Sequence, residues 1–173
     1  MRRSVISVFV LILLSITRLY GQKNANEIFE LSKGTWTAPI SKFRDIIDLE
    51  STKYSWYRAT VSITFITDSS YEVKAVHAGI VRSIFKIEST YAIGVNYGDY
   101  WIFYYGIEKP DLNRGDSVTM NQVIGKLYKE KYADDYELNL ILLKNTKEIN
   151  VSKWFRKLAN ETTDCNNPGM PNL

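Results

Sequence analysis

After Pro39 the chain alternates apolar and polar residues with a period of two, and this alternation constrains the fold more than any other feature. Successive side chains of a strand point to opposite faces, so a period of two describes strands with one buried face. In ATVSITFIT, Val61, Ile63 and Phe65 alternate with Ser62, Thr64 and Ile66. The runs GIVRSIFKIE, TYAIGVNY, DYWIFYYGI, QVIGKLYKEK and YELNLILLK behave in the same way, and DYWIFYYGI holds the densest aromatics. Turn residues punctuate them at Thr67-Asp68-Ser69-Ser70, Asn96-Tyr97-Gly98-Asp99 and Asn113-Arg114-Gly115-Asp116. Short helices are expected only at Asn24 to Ser32, with Ile28 and Leu31 on one side, and at Val151 to Leu158. The pattern predicts an all-β fold, an antiparallel β-sandwich or partly open barrel with short flanking helices.

Composition narrows the class. With 45% hydrophobic and 24% charged residues, the chain is not disordered along its whole length. Cys165 is the single cysteine, so no disulfide scaffold forms within the chain, and its polar surroundings leave it idle. Residues 1–21 (MRRSVISVFVLILLSITRLYG) carry Arg2 and Arg3, then an apolar run from Val5 to Ile16 broken by Ser7 and Ser15, then Gly21. That is the pattern of a secretory signal peptide. The apolar run is about a dozen residues, whereas a membrane-spanning helix needs ~20. We therefore expect cleavage near Gly21, an exported protein and no integral span after signal removal; a retained short anchor is the alternative. Taking Arg2, Arg3 and Arg18 from the 22 basic residues leaves 19 against 19 acidic ones, so no basic excess marks a nucleic-acid surface. The expected organisation is a signal (1–21), a helical lead-in (22–33), a β-domain (34–158) and a flexible tail (159–173). Asn150 and Asn160 begin N-x-Ser/Thr sequons, which matter only in a eukaryotic secretory route.

Three phrases carry more than composition. They are Val73-Lys74-Ala75-Val76-His77-Ala78-Gly79-Ile80-Val81, Arg114-Gly115-Asp116-Ser117-Val118 and Asn121-Gln122-Val123-Ile124-Gly125-Lys126-Leu127. In this order and spacing they resemble the lysostaphin-type zinc peptidases, whose LytM-like domains have the duplicated hybrid motif fold. Lys33-Gly34-Thr35-Trp36-Thr37-Ala38-Pro39-Ile40 and Tyr104-Tyr105-Gly106-Ile107 extend the resemblance, which spans Gly34 to Phe155. Biotinyl and lipoyl carrier domains share part of the pattern, but no Met-Lys pair is present here.

The resemblance implies a zinc held by an H-x-x-x-D pair and an H-x-H strand, with a further His in Y-x-H-L. Here the corresponding positions read Thr60 and Thr64, then Gly106, then Glu137 and Asn139. A catalytic zinc needs about three protein ligands and one open position. His77 is the only histidine, and it falls in the phrase that lies away from the metal in this family. We read it as an exposed or hydrogen-bonded turn residue. Glu137 with Asp134 or Asp135 is an alternative site for calcium or magnesium; the simpler reading places those aspartates in a turn and Glu137 at the solvated groove. No catalytic residue, metal or cofactor is assigned.

Along Tyr100 to Tyr105, Trp101, Phe103 and Tyr105 face one way and Tyr100, Ile102 and Tyr104 the other. One set is core. Trp101, Tyr104 and Tyr105 are the candidate groove-binding aromatics. The expectation is an exported, catalytically inactive LytM-like domain that binds peptidoglycan, a cell-wall hydrolase or another envelope protein. The alternatives are an active cell-wall metallopeptidase with rearranged ligands and an unrelated exported β-domain.

Overall fold

The computed structural model describes residues 25–48, 61–69, 71–129 and 133–156. The expected signal segment, position Thr60, Cys165 and the expected tail lie outside the described residues. A short helix over residues 25–31 comes first. Then follow β1 (Asp45–Asp48), β2 (Ser62–Thr67), β3 (Glu72–Lys74), β4 (Gly79–Ile87) and β5 (Thr90–Tyr97). The chain continues through β6 (Tyr100–Ile107), β7 (Ser117–Val118), β8 (Val123–Lys126), β9 (Tyr136–Lys144), β10 (Lys147–Ile149) and a 3-10 turn at Val151–Trp154.

The large sheet runs in the order β1-β2-β9-β6-β5-β4-β7, with β10 also on β9, and β3 pairs with β8 in a small second sheet. Every strand pairing is antiparallel. Short turns set the hairpins: Gly98 (φ +60°) and Asp99 join β5 to β6, and Glu88 (φ +51°) with Ser89 joins β4 to β5. The longer strands fall in the alternating runs; β1, β3, β7 and β10 are too short to show a period. The run YELNLILLK is β9, and after it the chain turns back at Asn145 (φ +53°) to make β10, a strand the alternation did not signal.

Register explains how the two faces differ. Ile63, Leu140, Tyr104, Ile93 and Ile84 stand opposite one another across five strands. All but Ile84 are buried, and Ile84 packs against the same core. The next row over, Thr64, Asn139, Tyr105, Ala92 and Phe85, points to the other face because the strand period is two. On the inner face the second layer supplies Val73, Ala75, Val76, Ile124 and Leu127, with Trp36, Ile40, Trp154 and Phe155 closing the core. The result is a sandwich with one large and one small sheet.

The lead-in helix belongs to this core. Phe29 is fully buried and stacks on Tyr100 at 4.0 Å with 13° between planes. Trp36 meets it edge-on at 5.6 Å, and His77 lies 4.6 Å away. Burying a side chain of this size contributes about 2–3 kcal/mol. Asn26 fixes the register: its Nδ2 donates to Asp99 Oδ2 at 2.7 Å and its Oδ1 accepts from Asp99 N at 2.9 Å. Glu30 receives the Tyr100 hydroxyl and the Lys144 ammonium.

Of the two expected roles for His77, an exposed or a hydrogen-bonded turn residue, the structure shows the hydrogen-bonded one. His77 is 4% exposed, wedged among Phe29, Trp36 and Tyr97, with Nδ1 2.8 Å from Ala78 O. Burial pushes the imidazole pKa below its ordinary value, partly opposed by that hydrogen bond.

Candidate functional site

The outer row of the sheet builds a cleft. Asn139 sits on β9 between Thr64 of β2 and Tyr105 of β6. Two residues earlier, Glu137 extends from the same face. Thr90, Gly106, Tyr128, Ala133 and Asp135 complete a cleft of about 270 Å³ lined together with Tyr105, Glu137 and Asn139. A recess of about 320 Å³ around Glu108–Leu112 and Val123–Lys126 holds none of the residues singled out from sequence. The structure thus brings Gly106, Glu137 and Asn139 to one place, with Thr64 bonded to that group.

Gly106 is where the sheet departs from regular geometry. Tyr91 pairs with Ile107 and Ala92 with Tyr105, so Gly106 is an extra residue bulged out of β6. Its φ is +86°, and a Cβ there would lie 2.2 Å from Glu137 O. Glycine alone meets both demands. The carbonyl of Gly106 accepts from Tyr128 N at 2.9 Å, which ties the loop after β8 to the cleft rim. A His at this position, as the family pattern has it, requires a different backbone.

Asn139 has a structural occupation. Ser62 and Thr64 are 1% and 9% exposed, so their hydroxyls need partners within the protein. Asn139 Nδ2 donates to Ser62 Oγ at 3.1 Å and to Thr64 Oγ1 at 2.8 Å. Both amide hydrogens are spent on β2, so Asn139 presents its Oδ1 acceptor to the cleft. Asp135 is held by Arg44 through paired contacts of 3.0 and 2.6 Å. Asp134, considered beside it as a ligand, is exposed and is not part of the lining. Glu137 is exposed, with no partner among the described residues.

These donors do not fit a catalytic zinc. Gly106 has no side chain, Asn139 is committed to β2, and Asp135 is neutralised by a guanidinium. Among the described residues no group of three His, Cys, Asp or Glu is placed to hold a metal. What the cleft offers is acceptors: two carboxylates, an amide oxygen and two tyrosines, with no Lys or Arg in its lining among the described residues.

The aromatics divide by face. Trp101, Phe103 and Tyr105 stand half-exposed on the outer face, with Trp101 and Phe103 nearly parallel at 5.9 Å. Tyr105 borders the cleft, and burial and nearby Glu148 raise its pKa. Tyr104, expected among the groove aromatics, is a core residue instead. It is fully buried, and its hydroxyl accepts from Val76 N at 2.9 Å. Thr90, Tyr128 and Ala133 were not foreseen, since each comes from a turn or strand end that only register brings to the cleft.

No family model matches the sequence, and no curated protein matches it. Solved structures do resemble it. The structure of Helicobacter pylori Csd3 matches 72% of this chain and 37% of its own at 16% identity, TM-score 0.57. A putative peptidase M23 from Pseudomonas aeruginosa matches 78% of this chain and 62% of its own at 15% identity, TM-score 0.55. A chain of the SpoIIIAH and SpoIIQ complex matches 67% of this chain and 96% of its own at 17% identity, TM-score 0.51. This chain therefore spans well under half of the Csd3 chain. The fold is that of the LytM-like M23 peptidases. Among the described residues no helix is long and apolar enough to cross a membrane.

Proposed function

We propose that this chain is an exported LytM-like domain that binds at the bacterial cell envelope and does not cut there. Its partner is peptidoglycan or an envelope protein such as a cell-wall hydrolase. The observation that carries the reading is the donor set of the cleft. Glu137, Asn139 and the bulged Gly106 stand where the family pattern puts metal ligands and catalytic histidines, and none of them supplies an imidazole. A cleft of about 270 Å³ remains, rich in acceptors and bordered by Tyr105, which suits a ligand presenting N–H or ammonium donors. The likeness to a chain of the SpoIIIAH and SpoIIQ complex supports a protein partner, and the likeness to the putative peptidase M23 supports an ancestor that acted on peptide bonds. The N-terminal segment supports export.

Co-sedimentation of the protein with purified sacculi tests this reading. We expect retention in the pellet, weakened by Glu137→Lys, which brings a cation into the acceptor cleft. A stoichiometric, tightly held zinc together with cleavage of cross-linked peptides would overturn it in favour of an active peptidase. Failure to bind either sacculi or a cell-wall hydrolase would overturn the binding role and leave a LytM-like fold with a ligand unrelated to the cell wall.

A further inference from the structure

Away from the cleft, the outer edge of β4 is only partly covered among the described residues. β7 covers β4 only at Gly79 and Ile80, with further bonds to Val81 from Gly115 and Asp116. From Ser83 to Ile87, β4 has no neighbour on its outer side among the described residues. The Glu88–Ser89 turn closes on the pair Ile87 and Thr90. Such a two-residue turn closes on a hydrogen-bonded pair, so Phe85 and Ser83 also bond toward β5. Ile84 and Lys86 consequently direct their N–H and C=O away from the sheet. The edge also carries large apolar groups, with Phe85 38% and Ile87 40% exposed. An edge of this kind is a template for another strand.

The charges select the occupant. With Phe85 opposite Phe85 of a second copy, in antiparallel register, Ile84 falls opposite Lys86 and Arg82 opposite Glu88. Ile84 and Lys86 are the residues with outward backbone groups, so this register forms about four interchain backbone hydrogen bonds. The two Phe85 side chains form the close, non-bonded pair, where cross-strand contact is strongest. Lys86 lays its aliphatic stem beside Ile84. Arg82 and Glu88 are both exposed and make no ion pair among the described residues. Arg114, whose Nε donates to Arg82 O at 2.9 Å, adds a second cation where Glu88 of the other copy would arrive. The neighbouring register, centred on Ile84, instead sets Arg82 against Lys86 twice and is disfavoured by repulsion.

We infer that the Ser83–Ile87 edge of β4 pairs with the same edge of a second copy, about a two-fold axis through Phe85, to form a continuous intermolecular sheet. Residues directly opposite share a face, so the dimer presents both clefts on the same side. A repeating ligand is then gripped at two points at once.

Disulfide trapping in cells producing the full chain tests this. Phe85→Cys is made in a Cys165→Ser background, because a non-bonded antiparallel pair suits disulfide geometry. Under mild oxidation we expect a dimer band that reductant removes. Leu31→Cys, at an 80% exposed position on the lead-in helix, should stay monomeric. Lys86→Pro should abolish the Phe85→Cys band, since it deletes an outward N–H and spares the bonds to β5. Arg82→Glu and Glu88→Arg should each lose the band, and the two together should restore it. These surface changes leave tryptophan fluorescence unaltered, so a lost band is not lost folding. A Phe85→Cys protein that folds but stays monomeric overturns the proposal. So does a band that survives Lys86→Pro, or one that Leu31→Cys forms equally well.

Discussion

Tyr104 and Tyr105 are neighbours on one strand and live in opposite environments. Tyr104 points inward, is sealed from water, and uses its hydroxyl to satisfy the buried N–H of Val76. Burial drives its pKa upward. Tyr105 points outward to a cleft whose lining residues are only partly shielded. The inner side of β6 is an aromatic cage, in which Phe29, Trp36, His77, Tyr97, Tyr100 and Trp154 lie within 4.0 to 6.4 Å of one another in successive ring pairs. The outer side is an acceptor-rich depression. The comparison teaches that stability is concentrated on one face of the sheet, which leaves the other face free to change its chemistry without unfolding the chain.

The strongest way to break that division is to empty the cage. Phe29→Ala should destabilise the protein by about 3–5 kcal/mol, read by denaturant unfolding, because the rings around the vacated space cannot all collapse into it. On the outer face the exception is Gly106. Gly106→His should cost at least about 2 kcal/mol in thermal or denaturant unfolding, from the left-handed backbone and the collision with Glu137 O. If Gly106→His is as stable as the parent, the bulge is not the obstacle to a histidine that the geometry makes it. The paired tyrosines sharpen the contrast further. Tyr104→Phe should cost about 1–3 kcal/mol by leaving Val76 N–H unpaired, while Tyr105→Phe should stay within ~0.5 kcal/mol.

The smallest effect is a pH dependence from the cage. His77 has its pKa lowered from 6.5 in the folded state. The unfolded chain therefore takes up a proton first as pH falls, and the folded state loses stability on acidification below about 6.5 until its own lower pKa is passed. Above that range the contribution is level. The slope is at most about 1.4 kcal/mol per pH unit. Unfolding midpoints measured from neutral to mildly acidic pH should show it, and His77→Phe should flatten it.

Much of the fold was legible from residues 61–144. Ile63 and Phe65 against Ser62 and Thr64 name the two faces of β2, and the Gly98-Asp99 and Gly115-Asp116 turns stand where the residue types place them. The shortage of metal ligands was legible too, since one histidine cannot make an H-x-H pair. The cleft was legible only in part. Gly106, Glu137 and Asn139 were singled out by resemblance, but Thr90, Tyr128 and Ala133 come from turns and strand ends with no periodic signal.

By itself, the sequence determined an antiparallel β fold and the identity of the groups available to it, because alternation and composition are local properties. It could not choose between the faces of β6, since a period of two is unchanged when inside and outside are exchanged. That choice waited on β9 and β5 flanking the strand and on Val73, Ile124 and Leu127 arriving from elsewhere to cover one side. The same long-range pairing bulged Gly106 out of register, spent the Asn139 hydrogens on β2 and brought β7 to only one end of β4. Each of these is a contact between residues far apart in the chain, set by the tertiary structure alone.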